Sequence, residues 1–131
     1  MDPFATFAAT PSNRWLGSRL CARSAERAEL ELPLRAEFAQ EEGVIHGGLI
    51  AMLADTAAVY LLWPDLGGRR MTSIEFKVNF LSAARPDGGP LRAVATVLRQ
   101  GRTIAVCESE VWQHDRRIAK GTFTYLLSDR P

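Results

Sequence analysis

Within residues 43 to 63, GVIHGGLIAMLADTAAVYLLW, Asp55 is the one acidic side chain in a run otherwise apolar or small, His46 apart. Burial disfavours a carboxylate's charged form, and acids perturbed in this way concentrate where they serve as base or nucleophile. The plainer role for such a residue is an acid satisfied by hydrogen bonds inside an interface. His46, Gly47 and Gly48 precede it. If a helix begins there, its first N–H groups lack intrahelical acceptors and carry the positive end of the helix dipole, which suits a developing oxyanion. Two glycines let a substrate approach the backbone closely. Taken alone, His-Gly-Gly is equally an ordinary turn into a helix. Taken with Asp55, it suggests attack on a carbonyl.

Geometry then limits how these groups cooperate. Gly47 and Asp55 are eight positions apart, hence about 12 Å along a helix axis. An attacking group and an oxyanion donor must both lie within about 3 Å of the reacting atoms. Two antiparallel helices from two subunits satisfy this, with Asp55 of one opposite Gly47 of the other, and a two-fold dimer then holds two equivalent composite sites. The helix predicted from Gly47 to about Trp63 independently points to a second subunit. Leu49, Ile50, Met52, Leu53, Ala54, Ala57, Ala58, Val59, Leu61 and Leu62 surround it on every side, and a single sheet in a chain of 131 residues covers only part of such a surface.

The remaining chain reads mostly as strands. Residues 1 to 15, with Pro3, Pro11, Ser12 and Asn13, read as a loose N-terminal segment able to dock a short helix before Trp15, followed by one domain over 16 to 131. Between Gly17 and Leu34, Ala28, Leu30, Leu32 and Leu34 alternate with Glu29, Glu31 and Pro33, as in a bent strand or hairpin ending at the proline. Residues 35 to 45 read as a loop leading into the helix. After the break WPDLGGRR, Met71 to Leu81 alternates Ile74, Phe76, Val78 and Phe80 against Ser73, Glu75, Lys77 and Asn79. Leu91 to Arg99, Thr103 to Trp112 and Ile118 to Leu127 then form an antiparallel meander joined by short turns at Gln100-Gly101 and His114-Asp115. This order predicts an α+β fold, a long central helix packed on a curved antiparallel sheet.

Composition narrows the function. Sixteen Lys and Arg oppose fifteen Asp and Glu without a dense basic tract, so no nucleic-acid footprint is expected. Cys21 and Cys107 match no metal or redox spacing and read as reduced, mostly buried thiols. With only His46 and His114 as histidines, neither a metal nor a redox cofactor is expected. The N-terminus lacks a secretory pattern, and Leu49 to Trp63 is too short for a bilayer and broken by Asp55, so a cytoplasmic protein without a membrane span is expected.

The run GVIHGGLIAMLADTA, the strand TSIEFKVNFL with Ala84 and Pro86 after it, and the Gly101-Arg102 turn together resemble the hotdog-fold acyl-CoA thioesterases of the PaaI type, over roughly residues 16 to 127. The resemblance implies a helix wrapped by a five- or six-stranded antiparallel sheet, pairing of subunits into one continuous sheet, and dimers that pair into tetramers. It implies hydrolysis of an acyl-CoA to a carboxylic acid and free CoA, with Asp55 as base or nucleophile and the Gly47 N–H on the thioester oxygen. CoA is then part of the substrate, and no separate cofactor is implied. Gln40 and Ser73 match positions that contact the thioester or the water, and His46 supports the loop and the Gly47 site. Val59 departs from related enzymes that carry a threonine there. For CoA, the turn Arg99, Gln100, Gly101, Arg102 and Thr103 offers N–H groups and guanidinium to pantetheine and phosphate, and Arg69, Arg70 and Arg85 are further candidates. Phenylacetyl- or hydroxybenzoyl-like and short or medium aliphatic acyl groups all fit. The alternatives are a non-catalytic hotdog protein that binds acyl-CoA or acyl-carrier protein, a hydratase of the same fold, and a structural module.

Overall fold

The computed structural model describes residues 1 to 129; Arg130 and Pro131, the end of the domain read from the sequence, lie outside the described residues. The helix that was expected to begin at Gly47 does so, as α3 (Gly47–Leu62), and a 3-10 turn (Trp63–Asp65) continues it to the proline break. Around it bends one six-stranded antiparallel sheet built from β1 (Arg19–Arg23), β2 (Arg27–Leu32), β3 (Arg70–Phe80), β4 (Leu91–Gln100), β5 (Ile104–Gln113) and β6 (Arg116–Ser128), in the order β1-β2-β4-β5-β6-β3. This is the hotdog fold. Strands β4, β5 and β6 form the expected meander, whereas β3 leaves the helix for the far edge and pairs with β6.

The helix lies against small side chains. Ala93 and Ala95 of β4 and Ala105 of β5 are fully buried, as are Leu53, Ala57 and Ala58 of α3. Small residues on the sheet let the helix axis come close, and the larger Leu30, Leu32, Leu91, Val111 and Phe123 fill the margins of the core. On β6, Gly121 admits the neighbouring strand, because a Cβ there would stand 2.6 Å from the Lys77 carbonyl oxygen.

The N-terminal segment is more ordered than its prolines and polar residues suggest. It forms α1 (Pro3–Ala9) and α2 (Pro11–Leu16), each with proline in its first turn, where the missing N–H costs nothing. Buried Phe7 meets Tyr60 of α3 edge to face, with ring centroids 4.8 Å apart. These helices and the sheet leave Leu49, Met52, Asp55, Thr56 and Val59 only half-buried. That stripe, at a spacing of three to four residues, is the uncovered side of α3.

Helical run 47 to 65 is by length and composition long enough to cross a bilayer, and half of it is buried within the chain. The apolar stretch is therefore not too short, as its sequence bounds suggested. Packing under the sheet makes it the core helix of the fold.

The C-terminal end of α3 is held from β1. The Arg23 guanidinium donates to the Tyr60 carbonyl at 2.8 Å and the Leu61 carbonyl at 2.9 Å and pairs with Asp65. These carbonyls lie in the last turn, where intrahelical donors run out. Arg23→Gln is expected to lower unfolding free energy by about 1–3 kcal/mol, measured by denaturant melts, with no change in the sheet's far edge.

Candidate active site

His46 stands at the N-cap of α3 with φ −60° and ψ 130°. Its Nδ1 accepts the Gly48 N–H at 2.9 Å, and its carbonyl accepts the N–H groups of Leu49 and Ile50. Nδ1 is thereby the accepting nitrogen of the ring, and it closes the cap on the first turn of the helix. The loop before it is pinned by His46 N–H to the Phe38 carbonyl and Ile45 N–H to the Ala84 carbonyl. Of the two glycine N–H groups at the helix start, that of Gly48 is taken by the cap. That of Gly47 has no acceptor among the described residues.

Two turns along the helix, Asp55 is half-buried. Its Oδ1 accepts the Tyr125 hydroxyl from β6 at 2.6 Å, and the same hydroxyl lies 3.3 Å from the Asp55 carbonyl oxygen. Burial pushes the Asp55 carboxyl above the ordinary carboxylate range, and the phenol's hydrogen bond partly offsets this. Tyr125 is pushed far above its usual range by burial and by the adjacent carboxylate, so it stays a phenol. Buried Cys107 is pushed up to about 12 by desolvation, which leaves its thiol protonated and inert at neutral pH.

A cavity of about 580 Å³ joins the helix start to Asp55, lined by His46, Gly47, Gly48, Ala51, Met52, Asp55, Phe76 and Phe80. A second, of about 390 Å³, is lined by Val44, Ile45, Gly47, Ile50, Phe80, Leu81, Ser82, Ala83 and Ala84. Gly47 and Phe80 border both, and a Cβ on Gly47 would stand 3.1 Å from the Phe80 ring. Beyond them, β3 is an edge strand of this chain. Ile74, Phe76, Phe80 and, just past it, Leu81 are 52%, 47%, 54% and 51% exposed, an apolar edge open to a further strand.

Ser73 has changed face relative to the strict alternation read from the sequence. The β3–β6 register shifts between Ser73 and Glu75, so Ile74 is the extra residue of a bulge. Ser73 thereby pairs with Tyr125, and Phe76 with Phe123, placing Ser73, Phe76, Val78 and Phe80 together on the helix-facing side. Ser73 stands beside the Asp55–Tyr125 pair in register but does not line the cavity. Gln40 also stays outside it. Its side-chain oxygen accepts the Glu42 N–H, and its backbone closes the same turn through Val44 and Gly43.

The turn from Arg99 to Thr103 lies at the level of Tyr125, since Gln100, Ala105, Tyr125 and Ser73 form one row across β4, β5, β6 and β3. It lines neither cavity. Its Gly101 N–H is used by the Ile104 carbonyl, and the Arg102 carbonyl accepts from Arg69. The side chains of Arg99 and Arg102 are in exposed residues and form no ion pair among the described residues.

Tyr125 is the site residue that sequence reading passed over. A signal was present, because GTFTYLL places Tyr125 on the inward side of a strand with Phe123 and Leu127, and a buried phenol requires an acceptor. Asp55 is the one acid within the apolar helix.

The family model of the thioesterase superfamily matches residues 42–120. A Saccharolobus solfataricus protein named as an esterase is 34% identical over 93 residues, which are 70% of this chain and 64% of that protein. This chain thus spans less than two thirds of that relative's length. Acyl-coenzyme A thioesterase 13 of Mus musculus is 25% identical over 112 residues, 84% of this chain and 79% of its own. Among solved structures, the PaaI protein from the phenylacetic acid degradation operon of E. coli superposes with a TM-score of 0.84 at 22% identity, over 94% of this chain and 88% of that one.

Proposed function

Because this chain belongs to the thioesterase superfamily, we propose that it hydrolyses acyl-CoA thioesters to a carboxylic acid and free CoA. The observation that carries this reading is a carboxylate and an unpartnered helix-start N–H, Asp55 and Gly47, bordering one cavity whose other lining is His46, Gly48, Ala51, Met52, Phe76 and Phe80. The acyl-coenzyme A thioesterase among its relatives supports the same substrate class.

The reaction follows from what each group can do. Asp55, ionised, takes a proton from water as the oxygen of that water adds to the thioester carbon. The Gly47 N–H at the positive end of α3 holds the developing oxyanion. Collapse breaks the carbon–sulfur bond, and the thiolate of CoA takes up the proton. Water is the one co-reactant consumed, and Asp55 is returned to its carboxylate form. Since Asp55 and Gly47 of one chain lie about 12 Å apart along the axis, the reacting pair comes from two subunits. The uncovered stripe of α3 and the apolar edge of β3 support an antiparallel two-fold dimer with composite sites, whose dimers can pair again. CoA phosphates are assigned to the exposed guanidinium groups of Arg99 and Arg102. Met52, Phe76 and Phe80 offer an apolar bed that suits phenylacetyl- or hydroxybenzoyl-like as well as short or medium aliphatic acyl groups.

Thiol release from a panel of aryl- and alkyl-CoA thioesters tests the reading and names the acyl class. Turnover of none of them, with binding retained, would make the chain a non-catalytic acyl-CoA binder. The pH profile is a further expected result. Activity needs the Asp55 carboxylate, which burial holds above the ordinary range, so kcat/KM should fall on the acid side from a higher pH than an exposed aspartate would set. A limb at ordinary carboxylate pH or below would contradict a buried general base.

A further inference from the structure

We propose that Tyr125 is a positioning residue for the thioesterase step, holding Asp55 Oδ1 from the sheet so that Oδ2 is the oxygen presented to water. The proposal rests on the thioesterase reading and concerns a side chain that reading does not use.

The geometry singles out this contact. The phenol is almost wholly buried on β6, and it donates its one proton to Asp55 Oδ1 at 2.6 Å. The longer approach to the Asp55 carbonyl, 3.3 Å, is secondary. Among the described residues Oδ2 has no hydrogen-bond partner. A carboxylate rotating freely about its Cβ–Cγ bond would present either oxygen in many directions. One held at a single oxygen presents the other in one direction, which lowers the entropy lost on reaching the reacting geometry.

The helix segment beneath Asp55 is fixed by the same device repeated. Ser109 of the adjacent β5 donates to the Ala54 carbonyl at 2.9 Å, and within the helix Thr56 donates to the Met52 carbonyl at 2.7 Å. Hydroxyls from two neighbouring strands therefore hold consecutive helix residues, 54 and 55. Ser109 reaches only backbone, whereas Tyr125 reaches the acid itself. A phenol suits this task because it remains a neutral donor, since both burial and the carboxylate oppose its ionisation. It also stabilises the charged form of Asp55, the form the chemistry requires.

Tyr125→Phe keeps the ring and removes the donor. Two readouts follow Asp55: the carboxyl ¹³C titration in aspartate-labelled protein, and kcat, KM and the pH profile on the best thioester. The expected result is an upward move of the Asp55 titration and of the acid limb of kcat/KM together, with kcat lowered about tenfold or more and KM little changed. A role confined to packing would move neither the titration nor the limb, and that outcome overturns the proposal. As a second variant, 3-fluorotyrosine at position 125 keeps the hydroxyl and makes it a stronger donor. It should move the Asp55 titration down, and an unmoved or rising value would overturn the proposal even if Tyr125→Phe does not fold. A wild type that turns over no thioester defeats the thioesterase reading instead, and the titration still reports whether Tyr125 holds the carboxylate.

Discussion

Asp55→Asn is expected to lower thioester turnover by at least about a hundredfold while leaving the protein as stable as the wild type or more so. The two effects have one cause. Asparagine retains an oxygen that can accept from Tyr125, so the 2.6 Å contact to β6 survives in kind. It cannot take a proton from water. What it removes is a charge held in an apolar cavity, where burial raises the Asp55 pKa. For an acid whose folded-state pKa lies above its unfolded value, the folded state binds the proton more tightly. The stability this provides is full below the unfolded pKa and is lost as pH rises through the folded one. The advantage of Asn over Asp should therefore grow as pH climbs from the ordinary carboxylate range to the raised Asp55 value, then level off. Denaturant melts of both proteins over a pH series measure it. An inactive variant that is also less stable at neutral pH would mark Asp55 as a structural acid, and an active one would remove it from the chemistry.

The second large effect tests whether two chains share a site. Gly47→Pro removes the N–H assigned to the oxyanion at the first helical position, where proline is well tolerated. His46 already has the extended backbone that a residue before proline adopts. The half-exposed Phe80 ring, 3.1 Å from a Cβ at position 47, must give by a few tenths of an ångström. Alone, Gly47→Pro and Asp55→Asn are each expected to be nearly inactive. Co-expressed in equal amounts, half the pairs are mixed, and each mixed pair holds one site in which Asp55 and Gly47 are both native. About one quarter of wild-type activity should return. If mixed dimers form and nothing returns, the two groups do not serve one carbonyl from opposite chains.

Much of the molecule can be read along the chain because it depends on local periodicity. The helix from Gly47, the alternation in β4 to β6, the short turns between them, and Asp55 as the misplaced charge all follow from residues within a few positions of one another. Residues 17 to 34 read equally as a bent strand or a hairpin, and the structure makes them the hairpin of β1 and β2, ending just before Pro33. Where two distant segments had to meet, sequence reading stopped or misled. The bulge at Ile74 shows only in the pairing of β3 with β6, and it moves Ser73 to the face that alternation denied it. Prolines 3 and 11 suggest a loose start able to dock one short helix before Trp15, and the segment forms two, the first of which packs Phe7 on Tyr60. The pairing of Tyr125 with Asp55 spans 70 residues. By itself the sequence determined which groups can do chemistry and that a charge lies among apolar neighbours, since both are properties of side-chain type and short-range spacing. Which donor holds that charge, and which face each strand residue takes, only the tertiary structure decided, because sheet register and strand curvature arise from contacts between segments far apart in the chain.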